Sequence, residues 1–134
     1  MVVMTAPDPT LLNKLLSDCG ESIYSVERLS LALERSLWTL SVVSKEDTAI
    51  AGFVRATSDR ALNANLWNLT ARPGPDRDQL IRVIVYRSLA LLRRDVPGCS
   101  ISVSAAPYCL EALRDQGFII DPSGIRVMGL NLTS

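Results

Sequence analysis

The chain contains no histidine. That absence removes the Ser-His and Cys-His nucleophile pairs and every His-ligated metal. The three cysteines, Cys19, Cys99 and Cys109, are widely spaced and form no CxxC. Neither a disulfide framework nor a zinc site is expected from them. Net charge is absent as well, with 14 basic residues against 14 acidic ones. That balance argues against broad nucleic-acid binding. No apolar run approaches the roughly 20 residues that cross a bilayer; the longest, "LIRVIVYRSLALL", is broken by Arg82 and Arg87. The opening "MVVMTAPDPT" has neither a basic n-region nor a long apolar core, so no signal peptide is read and a cytoplasmic location is expected. Any chemistry therefore falls to carboxylates, tyrosine, cysteine or bound water.

What is present is 134 residues, 48% apolar and 21% charged, as expected of one globular domain with one core. "DPTLLNKLLSDCG" reads as a helix capped by Asp8, with Pro9 at its first position and Gly20 as its stop. "SVERLSLALERS" reads as a second helix capped by Ser25, with Val26, Leu29, Leu33 and Leu37 at helical spacing. "LWTLSVVS" and "TAIAGFVRATS" form a hairpin around Lys45-Glu46-Asp47. "ALNANLWNLTA" alternates from Leu62 through Ala64 and Leu66 to Leu69 and predicts a third strand. The segment from Asp76 to Arg94 predicts a long helix with an apolar face about half its circumference wide. "CSISVSA" is a fourth strand, "PYCLEALRDQG" a short helix, and "IRVMGLNL" a final strand. The strand–helix–strand passage from Leu62 to Ala105 needs a crossover, so the α/β sheet is expected to be mixed.

Three stretches in order, "VRATSDRALNANLWNLTARP" (54 to 73), "LRDQGF" (113 to 118) and "DPSGI" (121 to 125), resemble the GNAT superfamily of acetyl-CoA-dependent N-acetyltransferases. The small plastid and photosynthetic-bacterial members are the most similar. The resemblance spans about Leu11 to Leu132 and implies a mixed, mainly antiparallel sheet flanked by helices. It implies acetyl-CoA as cofactor and an amine as acceptor. The backbone of Leu69, Thr70 and Ala71 would pair with the pantetheine arm. The turn into the long helix, from Arg77 through Asp78, Gln79, Leu80 and Ile81 to Arg82, would hold the pyrophosphate. Helix-start amides form such an anion cradle.

Two departures from the family pattern bear on activity. The family's cofactor loop runs roughly Gln/Arg-x-x-Gly-x-Gly/Ala. Here Asp76 takes the leading position, and Arg77, Gln79 and Ile81 stand where glycines would let the backbone approach the pyrophosphate. Asp76 and Asp78 add negative charge where a polyanion would sit. The family often places a tyrosine four residues before the glycine of "GF", near the CoA sulfur; that position is Leu113. Tyr108, five residues earlier, is expected to point elsewhere. Arg77 and Arg82 could pair with phosphates or could be the solvated face of an amphipathic helix.

Asp59, Glu111 and Asp121 are the candidate general bases, with Asx turns explaining the two aspartates and a surface position the glutamate. Cys109 at a helix start could have a lowered pKa or be a small buried residue. Trp38 and Trp67 read as core. Two functions follow: an N-acetyltransferase of weakened or lost activity, or a non-catalytic GNAT-fold protein that binds a protein partner, a second copy of itself or CoA. No nucleic-acid or membrane partner is expected.

Overall fold

The computed structural model describes residues 1–132. In chain order the elements are β1 (Val2–Val3), α1 (Pro9–Asp18), α2 (Val26–Arg35), β2 (Trp38–Val43), β3 (Ile50–Ser58), β4 (Asn63–Ala71), α3 (Arg77–Asp95), β5 (Ser100–Val103), a 3-10 turn (Pro107–Cys109), α4 (Leu110–Asp115) and a second 3-10 turn (Pro122–Gly124). The caps expected from the sequence form. The Asp8 carboxylate accepts from the Thr10 amide at 2.7 Å, and the Ser25 hydroxyl accepts from the Arg28 amide at 3.3 Å. These bonds satisfy helix-start amides that the helix itself cannot.

The sheet runs in the order β1-β2-β3-β4-β5. Every neighbouring pair is antiparallel except β4 and β5, which are parallel and joined by α3 as the crossover. This is the mixed, mainly antiparallel sheet flanked by helices that the sequence implied. Successive residues of β3 point to opposite faces. On Phe53's face, α1 and α2 lay Leu12, Leu15, Leu16, Leu29 and Leu33. On Val54's face, α3 lays Ile81, Ile84, Val85, Leu89 and Leu92 over Leu40, Ala56 and Leu66. Gly52 leaves the room that Ile84 fills: a Cβ there would come within 2.6 Å of the Ile84 Cδ1.

Two elements differ from expectation. Val2 and Val3 pair with Val42 and Ser41, adding a first strand too short to show an alternating pattern. Conversely, "IRVMGLNL" forms no strand: Ile125 to Leu132 carry no ladder, and Met128 and Leu130 are 94% and 86% exposed. Asp121, Ser123 and Gly124 take φ of 48°, 57° and 77°. This left-handed run turns the chain along an apolar groove of about 460 Å³ beside Ile101, Val103 and Leu113, bordered by Ile125 and Val127. Among the described residues, none pairs with the outer edge of β5.

Asp59 sets the turn into β4. Its carboxylate accepts from the amides of Ala61, Leu62 and Asn63 at 2.9, 2.8 and 3.1 Å. Those bonds, the one from Asn63 foremost, hold its carboxyl below the usual range. A depressed carboxyl contributes stability above the unfolded-chain value of about 3.9, and that contribution is lost as pH falls through the lower folded value. The melting temperature of Asp59→Ala should lie below that of the unaltered chain from pH 8 to pH 5, and the gap should close below about pH 4. An equal gap at pH 2 would mean that charge plays no part in the turn. Gly52→Ala should lose about 1–3 kcal/mol in denaturant unfolding. Ile84→Val in that background should recover part of the loss, whereas strict additivity of the two changes would show that Ile84 yields without cost.

Candidate functional site at the splay between two parallel strands

The β4–β5 ladder begins at Asn63 opposite Ser100 and stops at Leu66 opposite Val103, while β4 continues to Ala71. The cause is a bulge. Against β3, Arg55 pairs with Trp67 and Phe53 with Thr70, so two steps on β3 face three on β4. Asn68 sits in the bulge at φ 57°, a conformation asparagine tolerates better than most residues. Its side chain is held at both ends: Oδ1 accepts from Arg55 Nε at 2.9 Å, and Nδ2 donates to the Tyr24 hydroxyl at 3.3 Å. The extra residue switches parity. Ala64 and Leu66 face α3 before it, and Leu69 and Ala71 face α3 after it. Bulges strengthen twist and end pairing, so β4 leaves β5 in a V.

Main-chain groups opened by that V are taken by side chains. The Leu69 carbonyl accepts from the Cys109 thiol at 3.9 Å. The Ala71 carbonyl accepts from Arg77 Nε at 3.0 Å and from the Cys19 thiol at 3.2 Å. The Ala71 amide donates to the Tyr108 hydroxyl at 3.4 Å. The Arg77 guanidinium lies 3.3 Å from the Tyr108 ring centroid, a cation–π contact that ties the two together. Tyr108 therefore points into the splay, against expectation. The segment after β5 opens as a 3-10 turn, which rotates about 120° per residue instead of 100° and re-aims its second side chain.

Burial governs the titration of this cluster. It pushes the Cys109 thiol up to about 12, with Arg77 opposing, and raises Cys19 in the same way. Cys109 is thus a protonated donor in the core, not a thiolate lowered by a helix start. Burial also raises the Tyr108 hydroxyl. Glu21 is raised by burial against the pull of Arg77, and its Oε2 is buried with no hydrogen-bond partner.

At the start of α3, Arg77 donates its amide to Gly74 and turns its side chain inward. The amides of Asp78 and Gln79 have no partner among the described residues, while that of Leu80 already bonds Asp76. Ile81 is fully buried in the core, so only its backbone belongs to the turn. The Asp76 carboxylate pairs with Arg72 at 3.1 Å. Arg82 is met by three carboxylates: Asp78 at 2.9 Å, Glu111 at 3.6 Å and Asp115. The strand half of the site suits a pantetheine arm, since strand pairing asks only for backbone. The helix half offers two open amides and a carboxylate beside them, a poor match for a pyrophosphate.

The three carboxylates singled out from sequence are engaged elsewhere. Asp59 holds its turn, Glu111 lies on Arg82, and Asp121 pairs with Arg126 at 3.6 Å. The structure instead brings in Cys19 and Glu21 from the end of α1, together with Tyr24, Arg55 and Asn68. One trace of this was visible: the apolar step of three from Leu66 to Leu69 is the bulge itself. Cys19 and Glu21 left no trace, since about 50 residues separate them from Ala71 in the chain.

A mixed sheet covered by helices on both faces and splayed at a bulge, with a crossover helix starting at its mouth, is the framework of an acyl-CoA N-acyltransferase fold. Solved structures agree. A probable acetyltransferase from meticillin-resistant Staphylococcus aureus superposes with a TM-score of 0.84 over 98% of both chains at 15% identity. Among curated proteins, an uncharacterized N-acetyltransferase, ycf52, of Porphyra purpurea is 30% identical over 119 residues, covering 87% of this chain and 68% of that one. A chloroplastic GCN5-related N-acetyltransferase of Arabidopsis thaliana is 33% identical over 85 residues, covering 63% of this chain and 32% of that one. No family model matches the chain. The chain belongs to the GNAT family of N-acetyltransferases, in the group that includes ycf52. No helix among the described residues is long and apolar enough to cross a membrane.

Iodoacetamide at pH 8 should leave Cys109 unmodified in the folded chain and label it on unfolding, since a thiol near 12 is about one part in ten thousand thiolate at that pH. Rapid labelling in the folded state, read by peptide mass spectrometry, would show that the splay is open to solvent.

Proposed function

We propose that the chain is an acetyl-CoA-dependent N-acetyltransferase of weakened activity, whose acceptor is a primary amine. The observation that carries this reading is the Leu69–Ala71 backbone, still paired with β3 but parted from β5 beyond the bulge, and held against a protonated tyrosine. Acetyl-CoA would supply the activated acyl thioester, and the chain supplies placement and protons. The strand amides at the splay donate to the acyl oxygen, where charge develops during acyl transfer. The amine nitrogen bonds to the acyl carbon as the carbon–sulfur bond breaks. Glu21, the carboxylate that shares this site with Arg77, Cys19 and Cys109, takes the proton released by the amine. Tyr108 gives its proton to the leaving thiolate, a role that Leu113 cannot fill.

Weakened activity follows from what must move. The Ala71 amide and carbonyl are free for a ligand only when Tyr108 and Arg77 release them. Asp78 repels phosphate at the mouth of the splay, and Arg82 is already neutralised. The saturation of Arg82 by carboxylates also favours the second reading, a non-catalytic GNAT-fold protein that acts by binding a partner or a second copy of itself. The free thiols Cys19, Cys99 and Cys109 fit a reducing compartment, and the cytoplasm is the location we assign.

Calorimetric titration with acetyl-CoA tests the reading. Binding near 100 μM, about −5.5 kcal/mol, is expected for the unaltered chain. The double variant Asp76→Gln with Gln79→Gly, both positions outside the core, should bind about tenfold tighter. Absence of binding by both proteins at millimolar ligand would overturn the acetyltransferase reading and leave the non-catalytic one.

A further inference from the structure

Arg55 stands out on the face of the sheet opposite α3. It lies on the side of β3 that carries Phe53, half-buried where Phe53 is fully buried. Its Nε is fixed on Asn68 at 2.9 Å, which orients the guanidinium and leaves both terminal nitrogens without a hydrogen bond among the described residues. No carboxylate pairs with it among those residues, although Arg72, Arg82, Arg94 and Arg126 each have one. Burial lowers its pKa. An arginine partly withdrawn from water without an anion is costly to keep unless something supplies the anion.

The surroundings are prearranged. The Tyr24 hydroxyl accepts from Asn68, so its own proton is free to donate. Asn13 fixes the loop that carries Tyr24, accepting from its amide at 3.0 Å and donating to its carbonyl at 2.8 Å. Trp67, the cross-strand partner of Arg55, walls one side, with its indole N–H on Thr57 at 2.7 Å. Trp67 is 38% exposed, not core as its sequence pattern suggested. The unit thus joins α1, the α1–α2 loop, β3 and the bulge of β4, and offers donors without an acceptor. Asn68 is also the residue before Leu69, so the unit abuts the strand backbone at which transfer would occur.

We propose that Arg55, with the Tyr24 hydroxyl beside it, is a carboxylate anchor, and that the acceptor is an amine that also carries a carboxylate, as in an amino acid. A planar guanidinium held at Nε presents its terminal nitrogens as the bidentate fork that carboxylates fit. This inference rests on the acetyltransferase reading for its substrate role, while the binding site stands on the geometry of Arg55 alone.

The test uses N-acetylalanine and its uncharged amide, followed by NMR at the Trp67 indole N–H and with no acetyl-CoA present. The acid should shift that resonance saturably at millimolar concentration, and the amide at least tenfold more weakly. Arg55→Gln should abolish the difference while the Trp38 indole resonance stays in place; Arg55→Lys should keep part of it. If Arg55→Gln unfolds, the acid–amide comparison in the unaltered chain carries the test. Equal shifts from acid and amide, or none from the acid at tens of millimolar, would overturn the anchor. Binding of the acid by a chain that binds no acetyl-CoA would leave the anchor standing and remove the transferase reading instead.

Discussion

Asn68 must hold a left-handed backbone for β4 to part from β5, and nearly everything at the site depends on that constraint. The bulge ends the parallel ladder at Leu66, flips the parity of the strand and exposes the groups of Leu69 and Ala71 on one side. On the other side the same asparagine clamps Arg55 and meets Tyr24. A single strained residue, held at both ends of its side chain, therefore shapes both the cleft between β4 and β5 and the opposite face. Strain of this kind persists only where neighbours over-determine it, and here three elements do.

The two halves of the site pull in different directions. In the strand half, Tyr108 and Arg77 take the main-chain groups of Ala71. The helix half carries side chains instead of glycines, and its carboxylates pair within the chain. Arg82, surrounded by Asp78, Asp115 and Glu111, is held more firmly protonated than usual by those hydrogen bonds. Its charge is turned toward α4 and stitches the two helices together at the surface. The start of α3 is a structural junction held by ion pairs, while β4 runs on beyond the end of its ladder with β5.

Periodicity made most of the framework legible. The caps at Asp8 and Ser25, the broad apolar face of α3 and the crossover between β4 and β5 all follow from local chemistry, and the ordered motifs pointed to the family. What escaped was set by contacts between distant segments. Tyr108 enters the splay because its helix begins as a 3-10 turn, which a proline at the first position does not distinguish from an α turn. Cys19 and Glu21 arrive from the end of α1, and no short-range pattern links them to Ala71. The "IRVMGLNL" segment alternates well enough to be a strand, yet a left-handed run at Asp121 to Gly124 decides its course. Trp67 reads as core by composition, whereas the bulge and the limited reach of α1 and α2 leave it beside Arg55.

The unpaired edge of β5 and the apolar segment next to it set the colloidal character of the protein. An edge strand with free amides, flanked by exposed Ile125, Val127, Met128 and Leu130, carries none of the lysines or prolines that natural edges use to discourage sticking. With balanced charge and an isoelectric point near 6.2, there is little electrostatic repulsion to keep two such corners apart near neutrality. Moderate alkalinity, which adds net negative charge, opposes the approach of two such corners.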